Sequence, residues 1–132
     1  MNFVSIRVIT DDVKRLVHFY EQVTGLSAKW YTEDFAELAS PSSLLAIAST
    51  RTIGLFGANV ASPAQNHTVI IEFLVNDVDR EYEKLKNIIN EFVMEPTTMP
   101  WGNRSVLFRD PDGNLVNFFR PTSADAIRKY EP

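Results

Sequence analysis

The chain carries one pattern twice, and that repetition restricts it to a fold built from two like units. Residues 3–20 lie over residues 68–85, placing Val4 on Val69, Ile6 on Ile71, Asp12 on Asp77, Val13 on Val78 and Arg15 on Arg80. Each copy opens with alternating apolar and mixed residues, the period of a strand with one oily face. An Asp then offers a side-chain oxygen to the start of a helix. Apolar residues follow at helical spacing: Val13, Leu16, Val17, Tyr20 and Val23 in the first copy, and Val78, Tyr82, Leu85 and Ile89 in the second. Gly25 closes the first helix.

Strands follow each helix. Residues 27–31, 35–39 and 44–49 read as three short strands, separated by Thr32-Glu33-Asp34 and Ser40-Pro41-Ser42-Ser43. In the second copy a strand begins at residues 92–94, a loop spans 95–99, and residues 105–108 and 115–119 form a hairpin. Its turn is Asp110-Pro111-Asp112-Gly113. Asp accepts from the turn backbone, Pro presets φ, and Gly takes the left-handed conformation. The first half's last turn falls on this one, with Leu38 on Phe108 and Leu45 on Leu115. The expected class is therefore α+β, two βαβββ modules forming a cupped mixed sheet with helices on the outer face. One domain is expected over residues 1–122: a first module at about 1–50, a connector at 51–66 with a strand near 52–56, and a second module at 67–122. Residues 123–132 form a polar tail with a short helix.

An apolar helix stripe needs a partner, so each helix covers one face of its sheet. Val4, Ile6, Val8, Val69, Ile71 and Phe73 make the expected buried face. The opposite face carries Ser5, Arg7, Ile70 and Glu72 and, by the same alternation, Leu45, Ile47, Leu115, Asn117 and Phe119. A curved sheet whose second face mixes polar and apolar groups suits a small molecule. The same face would serve equally as packing against another sheet or a second subunit.

Composition removes several classes of function. The net charge of −4 and the lack of a basic run leave no electrostatic footprint for nucleic acid or an anionic membrane. There is no cysteine, hence no disulfide, thiolate metal site or thiol nucleophile. No apolar segment approaches the ~20 residues that span a bilayer. The first residues lack the charged and apolar regions of a secretion signal, so a cytoplasmic protein is expected.

Three groups of residues together resemble the vicinal oxygen chelate superfamily of glyoxalases, extradiol dioxygenases, and fosfomycin- and bleomycin-resistance proteins. They are Asp12-Val13-Lys14-Arg15 through Phe19-Tyr20-Glu21 and Gly25, Val75-Asn76-Asp77-Val78-Asp79, and Pro100-Trp101-Gly102 with Arg109-Asp110-Pro111-Asp112-Gly113-Asn114. The resemblance implies paired βαβββ modules around a cavity. In the catalytic members it implies a metal held by His or Glu in the first and last strand of each module. Carried onto this chain, those positions are Ser5, Ile47, Ile70 and Asn117. Two are hydrocarbon, and a divalent first-row ion needs imidazole or carboxylate donors there. No metal and no cofactor are therefore expected. His18 reads as a solvated helix residue. His67 precedes the fifth strand, and a site rebuilt from His67, Glu72 and Asn117 would need a shifted register.

What remains suits binding. Trp30, Tyr31, Phe35, Trp101 and Phe119 would line a rim able to stack on flat or cationic molecules. Ser5, Arg7, Glu72, Arg104 and Asn117 would orient polar groups. This resembles the metal-free bleomycin-resistance branch, which implies drug sequestration and a homodimer. The alternative is a lyase, isomerase or dioxygenase of the same superfamily, with a rebuilt metal site or with Glu72, desolvated beside Ile70, Phe119 and Trp101, as general base. The favoured reading of Glu72 is an ion pair with Arg7, its counterpart in the repeat.

Overall fold

A computed structural model describes residues 1–131. The elements run β1 (Ser5–Thr10), α1 (Val13–Thr24), β2 (Ala28–Thr32), β3 (Phe35–Ala39), β4 (Leu44–Ser49), α2 (Thr50–Ile53), β5 (Ile70–Leu74), α3 (Val78–Leu85), β6 (Met94–Thr98), β7 (Asn103–Arg109), β8 (Leu115–Pro121) and α4 (Ala124–Lys129). Two four-stranded sheets result, ordered β1-β4-β3-β2 and β5-β8-β7-β6. In each, the first strand of the repeat pairs parallel with the last, and the other pairings are antiparallel. This is the strand–helix–three-strand plan written twice. Among the described residues no helix is long and apolar enough to cross a membrane.

The first compact unit is Met1–Asn66 together with Asp110–Gly113. Asp12 caps α1, its carboxylate accepting from the Arg15 N–H at 3.1 Å, and Gly25 closes the helix at φ 73°. Val13, Leu16, Val17, Tyr20 and Val23 are buried, as their spacing requires, and α1 packs on β3 and β4. The Tyr20 hydroxyl donates to Asp110 Oδ2 at 2.7 Å, with both side chains buried. Burial, and then the adjacent Asp110 carboxylate, push the phenol far above its ordinary pKa. Asp110 also begins the turn foreseen from sequence: its Oδ1 accepts from the Asp112 N–H at 2.9 Å, and Gly113 sits at φ 85°.

Residues 52–56 do not form the expected strand. Ser49 caps a short helix, accepting from the Arg51 N–H at 3.1 Å, and its own hydroxyl donates to Asp34 Oδ1. Arg51 Nε donates to the same oxygen at 2.7 Å. These local bonds turn the chain at the end of β4, where an extended path would leave them unmade.

The second unit is His67–Arg109 with the chain from Asn114 on. Asp77 caps α3 as Asp12 caps α1. The helix stops at Leu85, so Ile89 lies in the turn beyond it, donating its N–H to the Leu85 carbonyl. The expected loop at 95–99 is mostly strand β6 (Met94–Thr98). Pro96 has no N–H for a ladder, but β6 is an edge strand whose register shifts between Met94 and Thr97, and such a position tolerates proline. The tail helix is α4, capped by Ser123.

Candidate functional site

In the second sheet the register brings four of the expected residues onto one face. Ile70 pairs with Leu115, Glu72 with Asn117 and Leu74 with Phe119 across the parallel β5–β8 ladder. Side chains directly opposite share a face, and the neighbours two along a strand share it too. Leu107 and Ser105 extend the face onto β7. The other face, with Ile71, Val106, Phe108, Val116 and Phe118 buried, is the core. Asn117 Nδ2 donates to Glu72 Oε2 at 2.8 Å. Asn117 is 8% exposed, and its Oδ1 is buried without a donor. Glu72 itself is exposed, not desolvated as expected. Ile70 and Leu74 flank it at 47% and 49% exposure. The Phe119 ring lies 5.4 Å from that of Tyr130, just past α4.

Glu72 and Arg7, expected as an ion pair, each have other contacts within their own unit. Glu72 and Asn117 are direct register partners, so the amide reaches the carboxylate across one strand spacing. Arg7 lies in the first unit, its guanidinium 5.0 Å from the Phe35 ring centroid and 5.8 Å from that of Phe56. Phe35 also meets Tyr31 edge-on at 5.7 Å. Ser5, half-buried, shares this face with Arg7, Ala46 and Ala48.

Four expected site residues lie elsewhere. Ile47 pairs with Val8 and Ala36, on the same face as Leu45 and opposite to Ser5 and Arg7, and it is fully buried. Trp30 pairs with Ala36 and so projects on that face as well, at 41% exposure. Arg104 pairs with Arg120, in the set of Val106 and Phe108, opposite to Glu72. Its Nε and NH2 donate at 2.8 Å to the two carboxylate oxygens of Asp79 in the first turn of α3. The fork's hydrogen bonds hold the Asp79 carboxyl below the usual range. Trp101 stands in the turn between β6 and β7 at 67% exposure.

Two features at this site escaped the sequence reading. One is Asn117 as the partner of Glu72. The other is the attachment of the expected tail helix α4 to that turn, through Thr122 and Ser123 N–H groups donating to the Gly102 carbonyl at 2.7 and 3.2 Å. Gly102, at φ 91° and packed on Ser123 and Ala126, was the available signal.

Metal chemistry does not fit these residues. The first sheet offers Ser5 with Ala46 and Ala48, and the second offers Ile70 and Asn117 with one carboxylate, Glu72. Among the described residues no group of three or more His, Asp or Glu side chains is placed to hold an ion. His67 and His18 are both exposed.

Two copies of a βαβββ sheet, each with its first strand parallel to its last, define the vicinal oxygen chelate fold. The chain belongs to the glyoxalase/bleomycin resistance protein/dioxygenase superfamily, whose family model matches residues 2–118. It is 27% identical over 127 residues to the uncharacterized protein YraH of Bacillus subtilis, covering 91% of this chain and 98% of that one. Among solved structures it resembles a glyoxalase/bleomycin resistance protein/dioxygenase from Nocardioides, with TM-score 0.77, 22% identity, and coverage of 94% of this chain and 85% of that one. It also resembles a family enzyme from Burkholderia phytofirmans, with TM-score 0.77, 16% identity, and coverage of 89% and 96%. At those identities the likeness concerns the fold.

Proposed function

We propose that this protein binds a small, flat, largely apolar molecule without a metal ion, on the sheet face that carries Ile70, Glu72, Asn117 and Phe119. The observation behind this reading is a hydrogen-bonded polar pair set among half-exposed hydrocarbon: Glu72–Asn117 between Ile70 and Leu74. Apolar surface supplies binding energy, and a few fixed polar groups supply orientation. The absence of a donor set at the superfamily's metal positions points the same way. Sequestration of a drug-like compound, as the resistance branch of the superfamily implies, is the physiological role we assign to such binding. On the first sheet, Ser5, Arg7 and Phe35 form a second mixed face of the same character.

The test is a panel of flat aromatic compounds followed by tryptophan fluorescence and thermal shift, with Ile70→Lys as control. Binding that Ile70→Lys weakens supports the reading, and a panel without a single binder overturns it. The same panel tests a base role for Glu72, which its exposure does not favour. Turnover lost in Glu72→Gln and partly kept in Glu72→Asp would establish that role instead. A homodimer in solution is part of the proposal, and sedimentation at the monomer mass would remove it.

A further inference from the structure

Asn117 occupies an expensive position. It sits on β8, an interior strand, at 8% exposure, with hydrocarbon side chains around it on the same face: Leu107 across β7, and Leu115 and Phe119 two residues away along β8. Its amide can point only one way. Nδ2 must face the Glu72 carboxylate, because the flipped amide would set Oδ1 against Oε2, two acceptors with no proton between them. Oδ1 is then buried without a donor. A buried acceptor left unmade carries the full desolvation cost, and a hydrocarbon of the same size would avoid it. Folding alone does not call for asparagine here.

What this asparagine supplies that a leucine would not is a fixed carboxylate. Glu72 stands on an edge strand, exposed, with Oε2 held by the amide. Among the described residues of its own unit no Lys, Arg or His forms an ion pair with it. The only basic strand residue on this face of the sheet, Arg109, is in the next row on β7, with Leu115 between it and Ile70. The pair thus presents acceptors, and the positions beside it present apolar surface.

We propose that Glu72 anchors a cationic nitrogen of the ligand, an amidinium or ammonium group, and that Asn117 positions the carboxylate for it. The ring framework bearing that nitrogen lies over Ile70 and Leu74. This inference rests on the small-molecule reading above and narrows it to cationic, ring-bearing compounds. Two charge-assisted hydrogen bonds from a planar amidinium match the geometry of a carboxylate.

Three probes of nearly equal shape separate the two claims: naphthalene-2-carboxamidine, the neutral naphthalene-2-carboxamide and the anionic naphthalene-2-carboxylate. Titrations of the full chain should show the amidine bound about tenfold or more tighter than the amide, the ratio expected of a charge-assisted hydrogen bond, and the carboxylate bound weakest. Glu72→Gln should bring amidine and amide to parity. Asn117→Leu should reduce the amidine-to-amide ratio and at the same time raise Tm, a combination that a purely structural asparagine would not give. Equal binding of amidine and amide by the native chain overturns the anchor and leaves the small-molecule reading standing. No binding of any probe overturns both. A ratio unchanged in Glu72→Gln overturns the anchor, and a ratio unchanged in Asn117→Leu removes Asn117 as the positioning residue.

Discussion

Gly102 and Asn117 sit at opposite ends of the same physical argument, since each is a residue whose chemistry a neighbour dictates. At Gly102 the constraint is space and backbone: φ is 91°, and a Cβ would run into the Ser123 side chain and meet Ala126 at 3.3 Å. The carbonyl of the same residue accepts from Thr122 and Ser123, so the glycine sets where α4 starts. Gly102→Ala should cost about 1–3 kcal/mol through the left-handed backbone and the overlap. Its marker is faster hydrogen exchange confined to residues 123–130. Protection of that segment equal to the native chain would show that α4 does not depend on Gly102. At Asn117 the constraint is electrostatic: the carboxylate beside it fixes the amide, and the orphaned Oδ1 is the consequence.

At the scale of elements, each sheet is tied to its helix in a different way. α1 buries a continuous stripe with Leu16, Val17 and Tyr20 at 1% exposure or less, and burial of that kind is worth about 1.5–3 kcal/mol per large side chain. α3 is shorter and buries only Val78 and Leu85, with the Arg104–Asp79 fork as an added tie to β7. Because Arg104 lowers the Asp79 pKa, the fork's contribution is complete above the unfolded carboxylate value of about 3.9 and is lost as pH falls through the lower folded value. Arg104→Met should therefore lower Tm at neutral pH, with the gap from the native chain closing as the solution is acidified below about pH 4. A gap independent of pH would mean that the arginine acts through its hydrocarbon stem.

For the whole molecule, the first compact unit is discontinuous in sequence: it includes Asp110–Gly113, which follow it by more than forty residues. Those residues give Tyr20 its buried acceptor. A fragment of residues 1–66 would lose that acceptor, a cost of about 1–3 kcal/mol against the few that a unit of this size commands. The fragment should show no cooperative unfolding transition by calorimetry, and the full chain should show one. A cooperative transition in the fragment would demonstrate that the first module is self-sufficient.

The sequence by itself determined whatever depends on near neighbours along the chain. The caps at Asp12 and Asp77, the Gly25 stop and the Asp110-Pro111-Asp112-Gly113 turn are all local bonds or local sterics, and all stand in the structure, whereas Val4, Ile6 and Val69 of the expected buried face are exposed. In the second sheet, alternation also placed Ile70, Glu72, Leu115, Asn117 and Phe119 together correctly. Tertiary structure decided the rest. Alternation shows which residues of one strand share a face but not which set of the adjacent strand joins them, and a shift of one residue exchanges the two faces. Ile47 fell on the wrong side of that choice, into the buried core, and Arg104, expected at the cavity, reaches Asp79 instead. The same limit hid the partner of Glu72. Asn117 is forty-five residues away, and only the parallel register of β5 on β8 brings its amide to the carboxylate.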